Sequence, residues 1–115
     1  MRKWAYLSSP YKYDDEQICK IMIYQTENEG TYVFLYNSMQ SQMCVADEWY
    51  ESPAEAISQW EGFIKDGHWT IIEDPMPNCQ NDCILPIRVK GRDIGKPEWG
   101  KYEVFVDGVW IDYRE

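Results

Sequence analysis

The residues best equipped for chemistry are Cys79 and Cys83, a C-x3-C pair in a Pro- and Asn-rich stretch, and His68, the only histidine of the chain. Together they could supply three ligands of a zinc tetrahedron, or a thiol nucleophile with an imidazole base. Structural zinc sites usually draw on two close-spaced pairs, and this sequence has one. Reduced structural thiols are the plainer reading. Cys19 and Cys44 fall in strand-like runs, where a free thiol packs as a small apolar side chain. Carboxylates occur together at Asp14-Asp15-Glu16, Asp47-Glu48 and Glu73-Asp74. Adjacent acids on a strand point to opposite faces, and acids in loops are solvated, so none of these is a ready catalytic pair. No cofactor is called for, because no phosphate-binding loop, dinucleotide fingerprint, EF-hand loop or zinc-protease helix occurs.

A different chemistry is offered by the stretch from Arg88 to Lys101. Arg88, Lys90, Arg92, Lys96 and Lys101 stand against Asp93 and Glu98, a local charge of +3, while the other residues sum to −12. Its glycines could let backbone N–H groups converge on an anion, its bases would supply counter-charge, and Trp99 a stacking face. This predicts a nucleic-acid or phosphate-ligand site at Arg88, Lys90, Arg92, Lys96 and Trp99. The same pattern also fits a long connection whose bases pair with an acidic body.

These residues must be carried by a framework, and its clearest element starts at Ser52. Ser52 is an N-cap, Pro53 takes the first helical position and Glu55 completes a capping box. Ala56, Ile57, Trp60, Phe63 and Ile64 then form one apolar stripe, and Gly67 is a C-terminal cap. The spacing predicts a helix of about 13 residues from Pro53 to Lys65. Strands are expected at Lys3 to Leu7, Ile18 to Gln25, Thr31 to Tyr36, Met43 to Trp49, His68 to Ile72, Cys83 to Lys90, Lys101 to Val106 and Val109 to Tyr113. Ser8-Ser9-Pro10 ends the first strand, and Tyr11 to Glu16 reads as a loop. Asp107-Gly108 is a two-residue hairpin signal.

The expected fold is α+β, a mostly antiparallel sheet of five to seven short strands with one main amphipathic helix on one face, as a single globular domain over residues 1–115. Val33 and Leu35 would face the helix with Ile21 and Ile23, leaving Tyr32, Phe34 and Tyr36 as a row of rings on the other side. That row is either covered, by a C-terminal hairpin bearing Trp99, Tyr102 and Trp110, or open to a partner.

From Gly30 to Phe63, the order of strand, loop, strand, acidic link and Ser52-Pro53-Ala54-Glu55-Ala56 resembles the strand–strand–helix half of small antitoxins of the HicB type. In that family a similar S/T-x-x-E-A start opens the helix. The resemblance spans under a third of the chain.

The formal net charge of −9, with six Trp and nine Tyr, suits electrostatically steered binding with aromatic anchors. It disfavours nucleic acid and anionic membranes. No apolar run approaches the ~20 residues of a membrane span, and a cytoplasmic protein is expected. The leading expectation is a non-catalytic acidic protein-binding domain, an immunity, antitoxin-like or regulatory factor, meeting a basic partner through Tyr32, Phe34, Tyr36, Asp47, Glu48, Trp49, Tyr50 and Glu51. A homodimer contact through the same rings is a further option, and a small metal or thiol enzyme the remote one.

Overall fold

The computed structural model describes all residues, Met1–Glu115. It is sheet-dominated, with two antiparallel sheets and one short helix. Strands β1 (Arg2–Tyr13), β2 (Glu16–Gln25), β3 (Thr31–Tyr36), β4 (Ala46–Tyr50) and β5 (Thr70–Ile72) form the first, in the order β4-β3-β2-β1-β5. The second contains β6 (Ile87–Val89), β7 (Tyr102–Val106) and β8 (Val109–Tyr113), in that order. The antiparallel character and the single helix follow the expectation. The arrangement of the strands does not: there are eight, divided between two sheets. No helix is long and apolar enough to cross a membrane.

β1 runs past the Ser8-Ser9-Pro10 stretch that was expected to end it. Tyr6 pairs with Lys20 and Tyr11 with Ile18, so Leu7 to Pro10 bulge out opposite Cys19. Pro10 lacks a donor and is tolerated there for that reason. Beyond the bulge the expected loop is a hairpin, closed at Asp14-Asp15 with Asp14 at φ 51°. The Asp107-Gly108 turn is as expected, and both residues have positive φ.

Helix α1 (Pro53–Trp60) starts as its capping signal requires, since the Glu55 N–H donates to Ser52 Oγ at 3.3 Å. It is shorter than the apolar stripe implied. A 3-10 turn follows at Glu61–Phe63, and Ile64 is extended at φ −78°, ψ 129°. The break lets Ile64 pair with Leu7 as a β-bridge and enter the core, which a continued helix would prevent.

The two faces of the large sheet separate as strand parity dictates. Ile21, Ile23, Val33 and Leu35 pack with Leu7 against Ala56 and Trp60 of α1. Met22, Phe34 and Tyr36 lie on the opposite face, with Trp4, Tyr24, Tyr32, Cys44, Ile72 and Ile84 around them. The cover there is the loop between β5 and β6, not the C-terminal hairpin. The Arg2 guanidinium holds it by donating to the carbonyls of Glu73 (2.8 Å), Asn81 (3.1 Å) and Cys83 (2.7 Å). Tyr36 OH donates to the Asp82 carbonyl, and Asp82 Oδ2 accepts from the Cys44 N–H at 2.9 Å. A second buried cation, Lys20, donates to the carbonyls of Met39 (3.1 Å) and Ser41 (2.7 Å) and lies 4.8 Å from the centre of the Tyr36 ring. Neither cation has a carboxylate partner; carbonyl dipoles and ring faces stand in for one.

The small sheet buries Ile87 and Val104 with Cys83, flanked by Met43, Tyr102 and Tyr113. Glu115 ties it to the loop before β4, its carboxylate accepting from Ser41 Oγ, the N–H groups of Gln42 (2.9 Å) and Met43 (3.1 Å), and Tyr113 OH (2.6 Å).

Candidate functional site

Of the rings assigned to a partner surface, Phe34 and Tyr36 are buried core residues. Burial, and then the carboxylate of Asp82, drives the Tyr36 hydroxyl well above its ordinary range, so it stays protonated as the donor described above. Tyr50 and Glu48 also turn inward, to the helix side. Glu48 Oε1 accepts from Tyr50 OH at 2.7 Å and from Trp60 Nε1 at 3.1 Å. Burial and then that carboxylate push the Tyr50 hydroxyl up to about 12. Phe34 and Tyr36 therefore belong to the core, and Glu48 and Tyr50, both half-buried, are tied to the helix side of the sheet, away from the ring row.

What remains is a smaller site at the outer end of the sheet. Tyr24, Tyr32 and Trp49 occupy one row across β2, β3 and β4, with Phe34 and Asp47 in the next. Tyr32 stacks on Phe34, ring centres 5.9 Å apart and planes 2° from parallel. Trp49 is 54% exposed. Its Nε1 donates to the Glu29 carbonyl at 2.6 Å, and its ring lies over Gly30, where a Cβ would come within 2.5 Å of the indole. Gly30 also has φ +82°, so both the turn and the ring above it require glycine.

The surroundings are acidic. Glu27, Glu29, Asp47 and Glu51 stand on this side, with one base, Arg92, lining a pocket with Tyr32, Phe34 and Asp47. Asp47 and Glu51 are exposed and in no ion pair. A groove lined by Tyr24, Thr26, Glu27, Asn28, Glu29 and Asp74 runs beside the rings. The Tyr24 hydroxyl registers that field: burial, then Asp74, with further contributions from Glu29 and Glu27, raises its pKa against the opposing Arg2. Asp74 is held by the N-terminal ammonium at 2.6 Å, but flat rings beside the unpaired Asp47 and Glu51 can take Lys or Arg side chains by charge and by cation–π contact. Tyr24, Glu27, Glu29 and Asp74 were missed in the sequence, although the parity of Tyr24 with its hairpin neighbour Tyr32 was there to be used.

The basic loop is largely committed to its own structure. Arg88 pairs with Glu103 (3.0 Å) and Asp93 (3.6 Å) and lies 3.7 Å from the centre of the Trp110 ring. Lys90 pairs with Asp112 (3.5 Å), Lys101 with Glu98 (3.4 Å), and Arg92 donates to Gln80 Oε1 (3.0 Å). The N–H groups of Ile94, Gly95, Lys96, Glu98 and Lys101 all donate to carbonyls within the loop. They do not converge on an anion as expected. Lys96 has no ion-pair partner, and Trp99 is 76% exposed.

His68, Cys79 and Cys83 are not brought together. His68 lines a groove with Trp4, Tyr6 and Lys65, whereas Cys79 and Cys83 face Arg2 and Ile84 in a cavity of ≈ 180 Å³. No three His, Cys, Asp or Glu side chains are grouped to hold a metal. Burial raises the pKa of all four thiols, Cys44 to about 12, so at neutral pH they are weak nucleophiles.

Comparison with protein families, with curated proteins and with solved structures found no match. The likeness of the Gly30 to Phe63 segment to HicB-type antitoxins thus has no counterpart among them.

Proposed function

We propose that this chain is a non-catalytic, single-domain binding protein, an immunity, antitoxin-like or regulatory factor, that presents its acidic pole to a basic surface of a partner protein. The observation that carries this reading is the pair of exposed, unpaired carboxylates of Asp47 and Glu51 beside Tyr32 and Trp49, in a stretch of sequence, residues 21–64, that holds seven acids and no base. Long-range attraction would speed encounter, and the exposed indole of Trp49 would anchor the complex. A cytoplasmic setting belongs to the same reading, since four free thiols fit a reducing compartment.

The test is affinity capture from lysate of the native host, with and without nuclease, using the wild type and the double variant Asp47→Lys/Glu51→Lys. The expected result is a stoichiometric protein that survives nuclease, is released by raised salt and is lost with the variant. Recovery of nucleic acid, or a partner indifferent to the variant, overturns the reading and moves attention to Lys96 and Trp99.

A further inference from the structure

The outer edge of β8 is open. β8 ends the small sheet, and outside the ladder with β7 no backbone group of Val109–Tyr113 takes part in any hydrogen bond. In a hairpin closed by a two-residue turn, the flanking pair Val106 and Val109 exchanges hydrogen bonds. Along β8 it is then Trp110 and Asp112 whose N–H and C=O groups point outward.

This edge differs from a surface protected against pairing. Val106, Val109 and Ile111 share the sheet face of buried Val104 yet are 40%, 56% and 47% exposed. An unpaired edge flanked by exposed aliphatic side chains templates another strand unless something covers it. The occupant is indicated by charge. Residues 88–115 carry six bases and six acids, whereas residues 1–87 carry five bases and fourteen acids, so the entire −9 lies outside the segment that forms most of the small sheet. It is the neutral region on which two copies of an acidic chain can meet without facing charge of the same sign.

We infer that β8 pairs antiparallel with β8 of a second copy about a two-fold axis at Trp110, joining two small sheets into one of six strands. That register sets Trp110 opposite Trp110, Val109 opposite Ile111 and Gly108 opposite Asp112, so no like charges lie opposite each other. Moving the axis to Ile111 would oppose Asp107 and Glu115, both acidic. The contact is one short strand per copy, and the dimer is correspondingly weak, in the micromolar range.

Sedimentation velocity over increasing concentration, with the wild type and Ile111→Lys, tests the pairing. The expected result is a weight-average mass rising toward twice the monomer for the wild type, and a monomer throughout for I111K with unchanged circular dichroism. Should I111K unfold, V109K serves in its place, both side chains being exposed. The register is read by oxidative cross-linking: a mixture of V109C and I111C gives a covalent dimer, and neither variant does so alone. A wild type monomeric at every concentration, or a dimer that persists in I111K and V109K, overturns the inference. Self-linking of I111C alone overturns the register.

Discussion

The two faces of the large sheet are closed in different ways. One is sealed by aliphatic side chains against α1, from residues within the first 64 of the chain. The other is sealed by a loop that packs Ile84 against it and is held by hydrogen bonds from Arg2 and Tyr36. Dispersion and burial are spread over many contacts, whereas the polar attachment depends on a few groups. The first face should therefore fail with the whole fold, and the second by local release.

The largest expected effect is on the aliphatic face. Leu35→Ala removes a fully buried side chain and should lower stability by about 3 kcal/mol, read from the urea midpoint. Arg2→Met should cost about 2 kcal/mol, because the buried Cys83 carbonyl and the half-buried carbonyls of Glu73 and Asn81 lose their donor. Hydrogen exchange gives the sharper contrast: amides of residues 73–86 should speed up in this variant while those of β2 and β3 stay protected. Uniform acceleration would mean that the two faces are one cooperative unit. Tyr36→Phe, which removes only a hydroxyl, should cost about 1 kcal/mol.

Alkaline pH sharpens the comparison further. Burial raises the folded-state pKa of Tyr36, Cys44 and Cys83, so these groups keep their protons in the fold after the unfolded chain has released them. Their stabilising contribution is complete below the ordinary thiol value of 9.0 and is lost as pH climbs above it. The buried ammonium of Lys20 acts in the opposite sense. Burial lowers its pKa, so its charging penalty lifts as pH rises toward its ordinary 10.5. Arg2, lowered by burial too, acts with Lys20, but eight thiols and phenols are raised against these two bases, so the urea midpoint should fall from about pH 9 upward, and Cys83→Ala should flatten the fall. The smallest effect is expected at the exposed site: Asp47→Lys should change stability by less than about 0.5 kcal/mol while changing binding.

What could be read in the sequence was decided locally. The Ser52 cap, the Asp107-Gly108 turn and the assignment of Val33 and Leu35 to one face and Phe34 to the other all depend on neighbours within a few residues. The errors came from distant partners. Nothing near Ser8-Ser9-Pro10 says that β2 will pair across a bulge, and only the Leu7 to Ile64 bridge explains where α1 stops. The ring row was identified, but whether it was core or surface depended on Arg2 and Asp82, far away in the chain. Of the residues proposed for a partner, Trp49, Asp47 and Glu51 are exposed and Tyr32 half-buried, while Phe34 and Tyr36 are buried and Glu48 and Tyr50 are engaged on the helix side; Tyr24 and the Glu27 to Gly30 turn are what the sequence reading left out.

The contacts of Arg2 also set a timetable. They join residues 71 to 81 positions apart, among the last of which is Cys83, whereas the aliphatic face is complete at Ile64. On a ribosome emitting the chain from its N-terminus, the helix-covered layer has all its parts first. Phe34 and Tyr36 must wait, uncovered, until Asp82 and Cys83 have emerged. For that interval the nascent chain shows an aromatic surface that the finished protein never displays, which makes it the stage most in need of a chaperone.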